Sequence, residues 1–237
     1  MLAIADFVDA ARRLATSRAL RIALVAIVPY ACVLIGMSVA AHYGAATDAL
    51  LPVQFFLSQD GSFGEYLEYT LTAASAVMLF ALWLRSRALV YLTNALLFVW
   101  LTLDNWMQIH EELGQALAPS LPASTGLPVE SHHLVEAGLF GAVGLVWLSG
   151  LATALRSADK REAVYALMLA GCIGLAAVFG VFVDLLTVWD DPDVMRQQFL
   201  AFVEDGGEFV LIIATSALTV AIFDIEYRQR EGIPANA

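Results

Sequence analysis

The sequence predicts an all-α, polytopic membrane protein whose six transmembrane helices form one bundle, with both termini cytoplasmic and a short amphipathic helix at the N-terminus. Two features support this prediction. Hydrophobic residues make up 60% of the 237 positions and charged residues only 15%, and the mean hydropathy is +0.74, which is too apolar for a soluble domain of this length. The apolar residues also fall into long runs with short polar segments between them, as in membrane-spanning helices.

The N-terminal segment combines an amphipathic stretch with the first long apolar run. Residues 1–19 mix apolar side chains such as Phe7 with charged ones such as Arg13, which favours a helix lying on the membrane surface. The run at 22–41 is long enough to cross the hydrocarbon core. A cleaved signal peptide is the alternative, because small residues end this run, but the apolar part of a signal is only about 7–15 residues long. We therefore expect a retained helix.

Five further spans are predicted from run length and polar flanks, at 64–84, 88–110, 132–155, 163–187 and 200–225. The longer connections hold prolines and glycines, which are typical of turns. The chain thus divides into an interfacial segment at 1–20, a six-helix domain at 21–230 and a cytoplasmic tail at 231–237. Cys32 and Cys172 lie inside apolar runs, where we expect buried small hydrophobic residues and no disulfide or metal pair.

The basic residues predict the orientation of the bundle. All lysines and arginines except Arg196 fall on the side that holds both termini and the loops near 85–87 and 156–161. Short cytoplasmic loops are enriched in basic residues, so this side should be cytoplasmic and the protein should lie in a bacterial-type inner membrane. Most acids and all four histidines lie at the outer, periplasmic ends. The net charge of −11 also argues against nucleic acid as a partner.

The stretch at 101–114 brings an apolar helix into a cluster of acids and a histidine. Asp104, Gln108 and Glu111 are spaced as one stripe on a helix, with Gly114 placed to end it and His110 on a neighbouring face. Acids at helix N-termini are often only stabilising the helix dipole, but Asp104 lies inside an apolar run near a helix C-terminus, where the dipole opposes a negative charge. Asp104 and Glu111 are therefore the sharpest indication of function.

Other predicted helices place polar side chains at the same outer level. The sixth helix should begin early, because Asp191 followed by Pro192 resembles an N-cap and a first-turn proline, and Gly206-Gly207 marks a kink or a close approach within it. The outer polar residues are Glu65, Glu68, Thr72 and Ser75 in a line on the second span, His132, His133 and Glu136 on the fourth, Asp184 on the fifth, and Glu204, Asp205 and Glu208 on the sixth.

Several carboxylates at one membrane level must be protonated, solvated, paired with cations or bound to a metal, because a buried carboxylate loses several kcal/mol of solvation. No lysine or arginine lies in the spans at that level. Carboxylate with imidazole is a ligand set that suits Zn, Fe or Mn, so we expect one or two divalent ions. The predicted ligands are Asp104, His110, Glu111, His133, Glu136 and Glu208, and the predicted supporting or acid–base groups are Glu65, Glu68, Asp184 and Glu204.

Three functions follow from this cluster, and the sequence leaves them open. The first is metal-dependent chemistry on a lipid or other apolar substrate, as a membrane hydrolase or oxidoreductase. The second is a divalent-cation or proton transporter with an acidic outer vestibule, ranked lower because the middle and inner parts of the spans show hydroxyl and amide side chains but no buried acid. The third is a non-catalytic subunit or sensor that docks a periplasmic partner. His42 is expected to be an interfacial residue.

Specific residues argue against three known kinds of membrane site. The last predicted span has no lysine, as a microbial rhodopsin requires. The adjacent His132 and His133 lack the His-x-x-x-His pairing of membrane zinc hydrolases of the alkaline ceramidase kind. The four histidines are peripheral, unlike those of diheme membrane cytochromes. The His110-Glu111 pair, together with Glu204-Asp205-x-x-Glu208, resembles motifs in uncharacterised bacterial multi-pass proteins, which implies no activity.

Overall fold

The computed structural model describes residues 2–57, 59–120, 130–183 and 193–232. Within these ranges the chain is all-helical and has no strand. A 3₁₀ turn at Val53–Phe55 precedes the third helix, another at Ala118–Ser120 follows the fifth, and a π-helix at Val178–Val183 continues the seventh. The α-helices in the described residues are α1 Ile4–Ala15, α2 Arg18–Ala46, α3 Phe63–Ser86, α4 Leu89–Met107, α5 Ile109–Leu117, α6 Ser131–Ala154, α7 Lys160–Ala177 and α8 Val194–Arg230.

Side-chain caps fix where several helices begin. Ser17, Ser62 and Asp159 accept hydrogen bonds of 2.8–3.1 Å from backbone N–H groups in the first turns of α2, α3 and α7, which satisfies donors that a helix start leaves unpaired. Asp193 does the same for α8. Helix α8 therefore begins early, as predicted for the last span, with Asp193 as its cap. Asp191 and Pro192, the predicted cap and first-turn proline, lie outside the described residues.

The bundle has an apolar exterior and a partly polar interior. Val25, Val77 and Val146 are 69–76% exposed, whereas Thr72 and Asn94 are buried. This is the reverse of a soluble protein and suits a lipid environment. Among the described residues, five helices are long and apolar enough to cross a membrane, which indicates a membrane protein; they are Arg18–Ala46, Phe63–Ser86, Ser131–Ala154, Lys160–Val183 and Val194–Arg230.

The predicted span at 88–110 is wrong at its C-terminal end. Helix α4 stops at Met107 because Gln108 adopts the left-handed conformation, with φ 52° and ψ 39°, and α5 begins at Ile109. A left-handed residue breaks the regular helical ladder. With 19 residues and with Asp104 and Asn105 in its last turn, α4 is not among the five long apolar helices.

Helix α8 is the central element of the bundle and packs against α2, α3 and α7, while α4 packs against α3, α6 and α7.

The predicted close approach at Gly207 is confirmed, because a Cβ atom there would clash with the Phe179 ring. The expected burial of both cysteines is wrong for Cys32, which is exposed on α2, and Cys172 is half-buried. Helix α2 lies at the outside of the bundle and turns much of its apolar surface outward.

Candidate metal centre

All four histidines lie beside carboxylates at one end of the bundle, which we call the histidine end. This end is formed by the last turns of α2 and α4, by α5, by the first turns of α3 and α6, and by the outer part of α8. The nitrogen-to-oxygen distances are 3.4 Å for His42 and Asp205, 3.0 Å for His110 and Asp104, 3.3 Å for His132 and Glu130, and 3.1 Å for His133 and Glu136.

Asp104 and His110 form a buried pair at the junction of α4 and α5. Asp104 is fully buried, and one oxygen of its carboxylate accepts a 3.0 Å hydrogen bond from the backbone N–H of His110. The other oxygen lies 3.0 Å from the His110 Nδ1 atom. The predicted stripe of Asp104, Gln108 and Glu111 is wrong, because the left-handed turn at Gln108 brings His110 back onto Asp104.

The Asp104 carboxylate determines which nitrogen of His110 is available. A carboxylate accepts a hydrogen bond, so Nδ1 carries the proton and the Nε2 lone pair of the neutral ring is free to bind a metal or a proton. The Nε2 atom lies 3.8 Å from a carboxylate oxygen of Glu111. The imidazole also packs against the Phe140 ring of α6, with 4.9 Å between ring centroids.

The charges around this pair shift two pKa values. Burial by itself would lower the pKa of His110, but the hydrogen bond and charge of Asp104, together with the charges of Glu111 and Glu136, outweigh it and raise the pKa. Burial raises the pKa of Glu111, and neighbouring carboxylates add to that shift, whereas His110 opposes it. Both groups therefore hold a proton at higher pH than usual.

Helix α6 contributes a second set of ligands. His132, His133 and Glu136 are half-buried, and each offers a ligand atom within 4.8 Å of the other two. Among the described residues, no other group of three His, Cys, Asp or Glu side chains meets this criterion. The two imidazole rings lie 4.0 Å apart between centroids. Imidazole nitrogen and carboxylate oxygen are both common ligands of divalent metals.

Gly114 brings the α5 and α6 groups together. The sequence predicted that this glycine ends a helix, but it lies inside α5. A Cβ atom at this position would lie 2.7 Å from both Cγ and Oε1 of Glu136, so only glycine lets the Glu136 side chain lie against α5. Glu136 thereby reaches the surroundings of His110 as well as His133.

A second acid–histidine group lies between α2, α3 and α8. His42 is buried and not interfacial as expected; its Nδ1 atom lies 2.8 Å from Gln198 Oε1 and its Nε2 atom 3.4 Å from Asp205. The Phe56 ring packs edge-on against it at 4.9 Å. A buried imidazole with a partner on each nitrogen joins α2 to α8.

Glu68 on α3 faces the same region from inside the bundle. It is buried, and the charges of Glu208, Asp205 and Glu65 act on it. A Cβ atom at Gly180, in the π-helix after α7, would clash with the Glu208 carboxylate. The predicted ligand Glu208 therefore belongs with Glu68 and Asp205, apart from the ligands on α5 and α6.

Glu65 on α3 is connected to α4 through Tyr69, a residue that the sequence analysis missed. Its carboxylate accepts a 2.6 Å hydrogen bond from the backbone N–H of Gly61 and is hydrogen-bonded by the Tyr69 hydroxyl. That hydroxyl also lies 3.0 Å from the Asn105 carbonyl oxygen on α4. Tyr69 follows Glu65 by four positions on one helix, a spacing from which this contact was predictable.

The structure thus brings most of the predicted site residues to one end but in two groups. Asp104, His110, Glu111, His133 and Glu136 lie along α4, α5 and α6. The predicted supporting groups Glu65 and Glu68 are buried and Glu204 is half-buried, while Asp184 lies outside the described residues.

The fold and this cluster define an all-helical protein with five apolar helices of membrane-spanning length and an acid–histidine surface at one end. The family model described as "Domain of unknown function (DUF8692)" matches residues 31–222, and the chain belongs to that family. The match extends from α2 into α8 and includes the residues of the histidine end. No curated protein and no solved structure matches the chain.

Proposed function

We propose that this protein binds a divalent metal ion at the histidine end and uses it in chemistry on a lipid or another apolar substrate. The ion would be held by His133 and Glu136, with His132 beside them and with His110 and Glu111 facing them from α5. The observation that carries the proposal is the group of three ligand atoms within 4.8 Å on α6.

Within each histidine–carboxylate pair, the distance between the two ligand atoms fits a shared ion. Metal-to-ligand bonds to imidazole nitrogen and carboxylate oxygen are about 2.0–2.2 Å long, so two ligands of one ion lie at most about 4.2 Å apart. The separations of 3.1 Å between His133 Nδ1 and Glu136 and of 3.8 Å between His110 Nε2 and Glu111 satisfy this limit within each pair. A mixed imidazole and carboxylate set suits Zn, Fe or Mn.

The surroundings of the ligands add two supports. Asp104 orients His110 as carboxylates orient metal-binding histidines in general. A bound cation would also offset the mutual repulsion of Glu111, Glu136 and their neighbours.

An apolar substrate is favoured by the position of α5 beside the site. Trp106 and Met107 at the end of α4, and Leu113 and Leu117 on α5, are all exposed, so an apolar surface lies next to polar ligands. Tryptophan is enriched at the level of the lipid headgroups. A molecule arriving from the bilayer would meet this surface before it reached His110.

The proposal includes six spans and a defined orientation. Helix α4 has 19 residues, or about 28 Å at 1.5 Å per residue, close to the thickness of the hydrocarbon core. Counting α4 makes six spans, so both termini share a side, and the basic residues favour the cytoplasm for that side. The histidine end would then face the periplasm across a bacterial-type inner membrane.

Elemental analysis of purified protein tests the proposal. We expect stoichiometric Zn, Fe or Mn in the wild type and a loss of that metal in His133→Ala and in Glu111→Ala. Glu112→Ala is the matched control for Glu111, because Glu112 is adjacent on α5 but exposed. Wild-type protein without metal, even after incubation with each ion, would refute the proposal, as would equal metal content in all variants.

A further inference from the structure

A column of buried polar side chains runs through the bundle between α3, α4 and α8. It begins with an acid at the histidine end and finishes with an acid at the opposite end. Each of its members is at most 7% exposed; they are Glu68, Thr72 and Ser75 on α3, Asn94 and Tyr91 on α4, and Ser216, Thr219 and Glu226 on α8.

Two contacts between hydroxyl oxygens show which residues of different helices lie at the same height along the bundle axis. The hydroxyl oxygen of Thr102 on α4 lies 2.9 Å from that of Thr72, and the hydroxyl oxygen of Ser75 lies 3.2 Å from that of Ser216. At 1.5 Å per helical residue, Thr219 lies about 5 Å beyond Ser216.

The positions of the remaining residues along the bundle axis follow from the same two contacts. Counted back along α4 from Thr102, Asn94 lies about 12 Å and Tyr91 about 16 Å from the level of Thr72. Counted along α8 from Ser216, Glu226 lies about 15 Å beyond it, and its charge acts on Tyr91. Successive polar groups are thus separated by about 3–6 Å along the bundle axis, a spacing that single water molecules can bridge.

The lower half of the column contains polar atoms that no hydrogen bond in the described residues satisfies. These atoms are Asn94 Oδ1 and the hydroxyls of Tyr91 and Tyr165, and all three residues are completely buried. A buried unsatisfied polar group costs about 1–3 kcal/mol, and such groups usually bind ordered water.

A purely structural role accounts for only part of this column. Thr72, Ser75 and Thr219 each donate to the carbonyl oxygen four residues earlier, at 2.8–2.9 Å, which is how hydroxyls are commonly accommodated in apolar helices. That pattern leaves their oxygens free to accept. It does not account for the unsatisfied polar atoms of Asn94, Tyr91 and Tyr165.

We infer that this column is a proton pathway between Glu68 at the histidine end and Glu226 at the opposite end. Protons enter from the surface through Asp205 and His42, whose side chains are 11% and 9% exposed. A proton on Glu68 passes along hydroxyls and bridging water towards Glu226. Glu68 is then reprotonated from the same surface, so that the net event moves one proton and needs only a pH difference or a membrane potential.

Glu226 is suited to be the last acceptor because it lies beside a partly exposed arginine at the opposite end of the bundle. It lies 2.8 Å from the Arg161 guanidinium, whose side chain is 34% exposed. The sequence analysis ranked transport lower because it found no buried acid in the inner half of the spans. The burial of Glu226 removes that objection, and the pathway does not depend on the metal proposal.

Proton flux into liposomes tests the inference. The full chain is reconstituted in phosphatidylethanolamine and phosphatidylglycerol vesicles that enclose a pH-sensitive dye, and a potential is set with potassium and valinomycin. We expect wild-type vesicles to acidify faster than empty ones, and Glu68→Gln and Tyr91→Phe to fall to the empty rate. Tyr91→Phe removes only a hydroxyl that makes no hydrogen bond to the described residues, so it should not disturb folding.

Two controls separate conduction from general damage. Tyr30→Phe makes the same change as Tyr91→Phe at an exposed position on α2, and Thr70→Ala removes an exposed hydroxyl from α3. Both variants should conduct protons at the wild-type rate. Wild-type flux equal to that of empty vesicles would overturn the inference, and so would wild-type flux in both Glu68→Gln and Tyr91→Phe. Flux that persists when a chelator has removed all metal would support a pathway independent of the metal site.

Discussion

The two ends of the bundle both contain carboxylates but pair them with different partners. At the arginine end, where α3 and α8 finish and α7 begins, Glu226 pairs with Arg161 at 2.8 Å and Asp224 with Arg228 at 2.8 Å. At the histidine end, Asp104 and Glu136 pair with imidazoles. An arginine is always charged, whereas a histidine changes charge near neutral pH and can exchange its proton for a metal.

The two kinds of pair contribute to the fold in different ways. At the arginine end, the Glu226–Arg161 pair joins α8 to α7, whereas Asp224 and Arg228 pair within α8. The histidine end has more acids than its imidazoles can neutralise, and Glu68 faces Glu208 and Asp205. Its stability should therefore depend on what it binds, and substitutions of the same kind should have different effects at the two ends.

The largest effect is expected at the arginine end. Glu226→Gln removes a fully buried charge and leaves Arg161 without its carboxylate, which should lower the free energy of unfolding by about 3 kcal/mol. Thermal unfolding in detergent measures this loss. Glu231→Gln is the control, because Glu231 pairs with Arg85 at an exposed position and should change stability by less than about 1 kcal/mol.

The next largest effect is a loss of metal affinity when Gly114 is substituted. Gly114→Ala places a Cβ atom 2.7 Å from Glu136, so the Glu136 carboxylate must move and metal affinity should fall about 10- to 100-fold. Titration of the metal-free protein with zinc measures the change. Gly138→Ala on α6 meets no atom within 4 Å and should bind zinc as the wild type does; equal affinity in both variants would argue against Glu136 as a ligand.

A smaller effect on stability is expected at Glu68, and its sign is opposite to that of Glu226→Gln. Glu68→Gln removes a carboxylate from a buried group that includes Glu208 and Asp205, so repulsion and desolvation decrease. In the presence of a chelator, the melting temperature should stay the same or rise by a few degrees, corresponding to about 1 kcal/mol. A fall as large as that of Glu226→Gln would show that the two ends do not differ in this way.

The smallest effect concerns the contact of α1 with α7. The hydrogen bond from Lys160 to Asp6, 2.8 Å long, lowers the pKa of Asp6. The pair therefore stabilises the fold above the ordinary aspartate pKa of 3.8, and this contribution disappears as the pH falls through the lower, folded-state pKa. Asp6→Asn should reduce the pH dependence of unfolding in that acidic range, whereas Asp9→Asn, at an exposed position with Arg12 4.0 Å away, should leave it unchanged.

The helices of the bundle could be predicted because their signal is local. A run of about 20 apolar residues needs no tertiary information to indicate a helix of membrane-spanning length. The line of Glu65, Glu68, Thr72 and Ser75 was also predictable, since helical spacing places these residues on one face and the structure buries all four. The acids and histidines converge at one end for the same reason.

The details of the site depend on tertiary structure. Glutamine has no strong preference for the left-handed conformation, so nothing in the sequence marked Gln108 as the break that brings His110 onto Asp104. Glu226 lies among arginines in the sequence, and only the tertiary structure shows that it is completely buried beside Arg161 of α7. The contact of Gly114 with Glu136 depends on how α5 meets α6.

X-ray absorption at the metal edge tests the central claim of a metal site at the histidine end most directly. We predict imidazole scattering and a first shell of nitrogen and oxygen at about 2.0–2.2 Å, with imidazole scattering reduced in His133→Ala and unchanged in His42→Gln, which alters the other group. A spectrum of water oxygens alone, the same in wild type and His133→Ala, would contradict the account.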